Sequence, residues 1–102
     1  MEKSIDNIHM IYKILHALDK AMDRSDFSLS EINASELGVS DERWARYIEM
    51  LSDSGLIKGV RVYTNSFDEL RIEDNGIKIT LKGLEYLSFN NPLNRVYRTV
   101  FE

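Results

Sequence analysis

The chain contains no cysteine, and only one proline and five glycines among its 102 residues. The lack of cysteine excludes disulfide bonds and thiolate metal sites. No run approaches the roughly 18 consecutive apolar residues that a membrane-spanning helix needs, and the first residues lack the apolar segment of a secretory signal. We therefore expect a cytoplasmic protein with no membrane association.

Residues that commonly carry catalysis or bind cofactors are also scarce. The two histidines, His9 and His16, lie on one predicted helix, about 10.5 Å apart along its axis, which is too far to share a metal ion. The serines fall at predicted caps and turns, and no glycine-rich phosphate loop is present. We expect no catalytic residue, no metal site, no cofactor and no enzymatic activity.

The net charge of −4 is unfavourable for a protein that binds nucleic acid, because phosphate contacts depend on clustered Lys and Arg. The charge is unevenly placed, however. Residues 1–55 contain six Lys and Arg against eleven Asp and Glu, whereas residues 56–102 contain seven against six. Any basic surface is therefore expected in the C-terminal half of the chain.

The stretch from Gly38 to Gly59 predicts a tight turn, a capped helix and the start of a β-hairpin. Ser40 is a typical N-cap residue, and Gly55 stands where a glycine in the left-handed conformation ends a helix. Apolar residues recur between them at helical spacing, so one face of this helix is expected in the core. That face consists of Trp44, Tyr47, Ile48 and Leu51.

The region before this stretch predicts two helices. Apolar residues recur at helical spacing from Ile5 to Met22, with Ser4 as the N-cap, and a short helix is predicted from Ala34 to Leu37. Between them, residues 27–32 show no clear period. They fit either a short strand or a capping box that begins at Ser28.

The region after it predicts a β-hairpin, which would form a wing at about residues 56–79. Residues 56–64 and 69–73 alternate apolar and polar side chains on either side of a polar tip. Residues 74–76, Asp-Asn-Gly, are a turn signal. We therefore expect residues 77–79 to form a third short strand or an extended link.

Two C-terminal helices are predicted at about residues 81–101. Thr80 would cap the first, and Pro92 would open the second. The inward positions of the first are Leu81, Leu84, Tyr86 and Leu87. Three helices, a hairpin wing and two closing helices predict an α+β fold, a winged helix-turn-helix that forms one domain over residues 1–102.

Three stretches of the chain resemble the YjcQ family of small winged-helix proteins from Gram-positive bacteria and their phages. They are Leu-Gly-Val-Ser-Asp-Glu-Arg-Trp from residue 37, Met-Leu-Ser-Asp-Ser-Gly-Leu-Ile-Lys-Gly-Val from residue 50, and Ile-Thr-Leu-Lys-Gly-Leu-Glu-Tyr-Leu from residue 79. The third stretch is the most specific, and the resemblance covers about residues 30–90. It implies a winged-helix fold and a link to DNA binding, and it carries no catalytic residue, cofactor or ligand.

Double-stranded DNA is the partner that this architecture favours, because the third helix of such folds enters the major groove. The candidate DNA-binding residues are Ser40, Arg43, Arg46, Lys58, Arg61 and Arg71. The alternative is that the arginines pair with neighbouring acids on an ordinary solvated surface, where each pair stabilises the fold by only about 0–1 kcal/mol. Glu49 and Asp53 would repel phosphate if they faced the duplex.

A different class of function is a protein-interaction or homodimerisation module with no nucleic-acid role. The last predicted helix would present Tyr97, Val100 and Phe101 as a partner interface. Alternatively, these side chains dock on the first helix and close the core. The sequence thus favours a DNA-binding regulator of bacterial or phage origin, with the interaction module as the alternative.

Overall fold

Four α-helices and one antiparallel β-hairpin make up residues 6–89, which are the residues that the computed structural model describes. The helices are α1 (Asn7–Lys20), α2 (Ala34–Leu37), α3 (Asp41–Asp53) and α4 (Leu81–Phe89), and the strands are β1 (Ile57–Thr64) and β2 (Leu70–Ile79). This α+β order is compatible with a winged helix. The last of the five predicted α-helices lies outside the described residues.

The first helix begins and ends at other residues than the sequence predicted. Its N-cap is Asp6, whose side chain accepts a hydrogen bond of 3.1 Å from the backbone N–H of His9, so the assignment of Ser4 was wrong. After Lys20 the chain tightens into a 3-10 turn. Because that turn has about 3.0 residues rather than 3.6, Met22 leaves the buried stripe and is 61% exposed.

The ambiguous segment between α1 and α2 is a capping box on a 3-10 helix, Leu29–Ile32, rather than a strand. Glu31 Oε2 accepts from the N–H of Ser28 at 3.2 Å, and the Ser28 hydroxyl accepts from the N–H of Ser30. Both carboxylate oxygens of Glu31 also accept from Arg24. These hydrogen bonds keep the pKa of Glu31 below its usual value, and those from Arg24 contribute more than the one from the Ser28 N–H.

The turn between α2 and α3 has the predicted form. Gly38 ends α2 with a φ of 72°, in the left-handed region that favours glycine. Ser40 caps α3, since its hydroxyl accepts from the N–H of Arg43 at 3.1 Å. The two helices are therefore joined by only three residues, and half-buried Trp44 fixes the turn to the preceding segment by donating Nε1–H to the Ile32 carbonyl at 2.8 Å.

The end of α3 is closed by the glycine that the sequence predicted. Gly55 has a φ of 76°, its N–H donates to the Ser52 carbonyl, and the Leu56 N–H donates to the Leu51 carbonyl at 2.9 Å. This pair of bonds is a Schellman motif, which satisfies the last carbonyls of a helix and reverses the chain. Strand β1 therefore begins directly after this reversal and packs against the rest of the protein.

The start of helix α4 is hydrogen-bonded to this same reversal. The Thr80 hydroxyl donates to the Gly55 carbonyl at 2.6 Å and accepts from the N–H of Gly83, while the Thr80 N–H donates to the Leu56 carbonyl. The predicted cap is thus confirmed. The prediction that Leu81 faces inward was wrong, because buried Gly83 faces the hairpin and a position two residues away lies about 200° around the helix.

The hairpin differs from its prediction at Asp74-Asn75-Gly76, where no turn interrupts the strand. The cross-strand partners are Lys58 with Lys78 and Val60 with Asp74, so one residue of β1 opposes three of β2. The turn-forming sequence therefore produces a bulge. Gly59 and Gly76 both have positive φ, and a side chain at Gly59 would collide with the Gly76 carbonyl.

One apolar cluster lies between the helices and the inner face of the hairpin. Its members come from α1, the 3-10 helix Leu29–Ile32, α3, both strands and α4. The most deeply buried side chains are Ile14, Leu15, Tyr47, Ile48 and Leu51. Among the helices within residues 6–89, none has the length and apolar character needed to cross a membrane.

The first testable consequence concerns Gly83 in α4. On helix propensity alone, Gly83→Ala would stabilise the protein by about 1 kcal/mol. A Cβ at this position would, however, lie 2.6 Å from Ile79 Cγ1 and closer still to the Leu56 carbonyl oxygen. We expect G83A to lower the free energy of unfolding by about 1–3 kcal/mol. Urea denaturation measures the change.

The control is Glu85→Ala, on an exposed position of the same helix. It should change stability by about 0.5 kcal/mol or less. A G83A variant as stable as E85A, or more stable, would show that α4 does not pack against the hairpin at this distance.

Candidate nucleic-acid interface

The hairpin has one apolar face and one charged face. Ile57, Val60 and Val62 of β1 face α1 and α3, opposite Ile79, Asp74 and Ile72 of β2, because the bulge at Gly59 shifts the strand alternation by one residue. The opposite face, which we call the outer face, carries three side chains from each strand. They are Lys58, Arg61 and Tyr63 of β1 and Lys78, Glu73 and Arg71 of β2.

The outer face is basic although the whole chain is acidic. Four of its six side chains are cationic and one is a carboxylate, and all six are exposed. Phosphate binding depends on such local clusters rather than on net charge. Three of the predicted DNA-binding residues, Lys58, Arg61 and Arg71, are therefore brought together on one surface by the register of the hairpin.

The two arginines of the outer face have carboxylate partners. Arg61 Nη1 donates to Glu73 Oε2 at 2.9 Å, across the strands. Arg71 Nη2 donates at 3.1 Å to Oε1 of Glu69, the residue just before β2. The Arg61 guanidinium also lies 4.4 Å from the centroid of the Tyr63 ring, a cation–π contact. Toward the tip, cationic charge is thus largely matched.

The lysines at the base of the hairpin are different. Lys58 and Lys78 are direct cross-strand partners on the outer face, and no carboxylate among residues 6–89 forms an ion pair with either. A third lysine, Lys82 in the first turn of α4, covers the reversal before β1, since a Cβ at Gly55 would lie 3.9 Å from its Cδ. We call these three residues the basal lysines.

The exposed side of α3 carries the remaining predicted residues, and the structure uses them in different ways. Ser40 is occupied as the N-cap of α3. Arg43 Nη1 donates to Asn7 Oδ1 at 2.8 Å, and the same oxygen accepts from the buried Tyr47 hydroxyl at 2.6 Å. A neutral amide therefore orients Arg43 and leaves its charge uncompensated.

Arg46 lies in an acidic environment instead. Its Nε is 3.3 Å from Glu49 Oε1, one helical turn along. A groove of about 680 Å³ separates the start of α3 from the hairpin tip. The acids that line it are Asp41, Glu42, Asp68 and Glu69, against Arg46 and Arg71. This groove is thus unfavourable for a phosphate backbone.

Asp74 holds the bulge that separates the basal lysines from Arg61. Its carboxylate accepts three backbone N–H bonds, from Leu29 at 3.0 Å and from Gly76 and Ile77 at 2.9 Å each. Burial raises the pKa of Asp74, but the three N–H donors lower it more, so its pKa lies below the usual aspartate value. One side chain thus fixes the hairpin to the segment before α2.

Sequence reasoning missed several residues of this surface. Asn7 could not be connected with Arg43, because the contact joins the starts of two helices that are remote in sequence. The pairing of Lys58 with Lys78 was hidden by the turn predicted at residues 74–76, which would have ended the ladder before Lys78. The alternation of polar and apolar residues around Lys58 and Lys78 was the available signal.

The partner-interface candidates Tyr97, Val100 and Phe101 lie outside the described residues. Within residues 6–89, no group of three or more His, Asp or Glu side chains could hold a metal ion.

Comparison with known proteins identifies the family. The family model described as YjcQ protein matches residues 12–102. Because this match covers most of the chain, the chain belongs to the YjcQ family, and the resemblance found in the three sequence stretches is confirmed. Searches of curated proteins and of solved structures gave no match.

A second prediction follows from the three hydrogen bonds of Asp74. Asp74→Asn keeps the shape of the side chain but loses the charge, and we expect it to lower stability at neutral pH by about 1–3 kcal/mol. The folded-state pKa of Asp74 is depressed. Its stabilisation is therefore complete above the unfolded-state pKa of about 3.9 and is lost as pH falls through the folded-state value.

The difference in unfolding free energy between wild type and D74N should thus be constant near neutral pH and shrink below about pH 4. Denaturation across that pH range measures it, with Asp53→Asn on the exposed end of α3 as the control. A difference that stays constant down to the acid limit would contradict the assignment of a depressed pKa.

Proposed function

We propose that this YjcQ-family chain is a winged-helix protein that binds double-stranded DNA. The observation that carries the proposal is the order and connection of α2, α3 and the hairpin. A three-residue turn joins α2 to α3, the charged side of α3 is exposed, and the hairpin follows after a tight reversal. In helix-turn-helix proteins this order presents the second helix of the pair to the major groove.

Arg43 is the residue of α3 best suited to contact DNA. It lies near the N-terminal end of the helix, where recognition helices make their base contacts. One N–H of its guanidinium donates to the side-chain oxygen of Asn7, and this bond orients the guanidinium. The other N–H donors remain available for a guanine edge or a phosphate. Arg46 is less suited, because Glu49 already neutralises it.

The charge distribution supports a local contact rather than a broad one. The groove between α3 and the hairpin tip is acidic, whereas the outer face of the hairpin is basic. A duplex would therefore meet cationic charge at Arg43 and on the hairpin, and would avoid the groove. Such a small number of phosphate contacts predicts modest affinity and a salt slope of only about −0.9 for each phosphate contacted.

The third prediction tests this proposal by fluorescence anisotropy with labelled mixed-sequence duplexes. Wild type should bind at about 50 mM salt and lose most of its affinity by about 200 mM. Arg43→Gln should weaken binding by about 1–3 kcal/mol. Arg46→Gln removes the same charge from the same helix and should cost less, because its charge is already paired.

Circular dichroism and thermal unfolding of both variants serve as the controls for folding. If the wild-type protein bound no duplex at low salt, the proposal would be wrong. Equal losses for R43Q and R46Q would remove the special role of Arg43.

A partner-binding module is the second candidate function, and one observation favours it. Phe67 lies at the hairpin tip with 81% of its surface exposed, although the turn that presents it is ordered by Asn65. The Asn65 side chain accepts from the N–H groups of Phe67 and Glu69 at 2.8 and 3.0 Å. An exposed aromatic side chain on an ordered turn is a common feature of protein interfaces.

Mass measurement in solution across concentration tests this second function for self-association. A homodimer through the tip predicts a mass that rises with concentration in wild type and stays monomeric in Phe67→Ser. A wild-type chain that is strictly monomeric at every concentration, or F67S that dimerises equally, would exclude the tip as a homodimer interface.

A further inference from the structure

The pairing of Lys58 with Lys78 is the most unusual feature of the outer face. Side chains that lie directly opposite each other on one face of an antiparallel pair have Cβ atoms about 4.5–5.5 Å apart. Two lysines occupy this position at the base of the hairpin. Like charges at such positions oppose folding, and no ion pair within residues 6–89 offsets them.

The surroundings of the pair increase the positive charge. Lys82 lies beside Gly55, at the reversal that leads into β1. It belongs to the first turn of α4, where the helix dipole has its positive end. Other positions of the same hairpin show that carboxylates can be accommodated there, since Arg61 faces Glu73.

We infer that the Lys58–Lys78 pair, with Lys82, contacts the phosphate backbone of duplex DNA. This inference rests on the proposed function and adds to it the surface that supplies the main phosphate contacts. The like-charge pair is then a stability cost that a bound polyanion removes, because a phosphate between the two ammonium groups attracts both. We expect no comparable phosphate contact at the acidic groove beside α3.

The dimensions of the outer face fit a polymer with repeated charges. Lys58 and Arg61 are three positions apart along β1, which is at most about 10 Å in an extended strand. Phosphates repeat every 3.4 Å or so per strand along the axis of a duplex. The row of cations from the basal lysines toward Arg61 therefore extends past more than one phosphate.

The fourth prediction uses the opposite effects that one substitution should have on stability and on binding. Lys78→Glu converts the like-charge pair into an opposite-charge pair. It should raise the midpoint of thermal unfolding by about 1–5 °C. The same variant should bind the duplex at least about tenfold more weakly at 50 mM salt, because a phosphate contact is replaced by repulsion.

The matched control is Lys13→Glu, the same charge change on an exposed position of α1, which packs on the inner side of the hairpin. It should weaken duplex binding clearly less than K78E does, because it changes the net charge equally but removes no side chain of the outer face. A neutral double variant, Lys58→Gln with Lys78→Gln, provides the second measurement. Its salt slope, log affinity against log salt, should be about two units shallower than that of wild type.

The outcomes separate this inference from the proposed function. If wild type binds, R43Q weakens binding, and both K78E and the double variant bind with wild-type affinity and salt slope, the basal lysines do not contact DNA although the protein does. A K78E variant that binds no more weakly than K13E overturns the inference in the same way. If wild type binds no duplex at low salt, the proposed function fails and this inference fails with it.

Discussion

The reversal at Gly55–Leu56 is the constraint on which the rest of the described fold depends. It closes α3 through two backbone hydrogen bonds, it begins β1, and its carbonyls receive both the hydroxyl and the N–H of Thr80. Helix α3, strand β1 and the start of helix α4 are therefore all held together at Gly55 and Leu56. The close approach of Gly83 is possible only because that residue has no side chain. The direction of the hairpin relative to α3, and the placement of Lys82 beside it, follow from this junction.

Local chemistry in the sequence was sufficient to predict the elements close to this reversal. As helix caps and helix ends, Ser40, Gly38, Gly55 and Thr80 each use backbone groups within a few residues, so these roles could be predicted from short stretches of sequence. The errors arose where a distant contact decided the outcome. Asp-Asn-Gly at residues 74–76 has the composition of a turn, but pairing with β1 and the bond from the Leu29 N–H keep it within β2. The same holds for the surface, since the Arg43–Asn7 contact depends on tertiary packing.

The arrangement of charge explains how an acidic chain can present a basic surface. Most arginines in the described region are matched by carboxylates, as at Arg46, Arg61 and Arg71. No lysine within residues 6–89 forms an ion pair, and the hairpin register places two of them, Lys58 and Lys78, opposite each other at its base. Unrelieved repulsion at a cross-strand position costs stability. Such a cost is expected at functional positions, where local rules are broken for the sake of a ligand.

Backbone and lysine side-chain NMR spectra recorded during titration with duplex DNA would show which residues bind it, because they report contacts at each residue without any substitution. If the outer face binds the phosphate backbone, the largest chemical-shift changes will occur at the basal lysines and along that face, with a separate change at Arg43. Changes confined to α3 and the acidic groove beside it, with the lysine signals unmoved, would show that the basal lysines do not bind DNA.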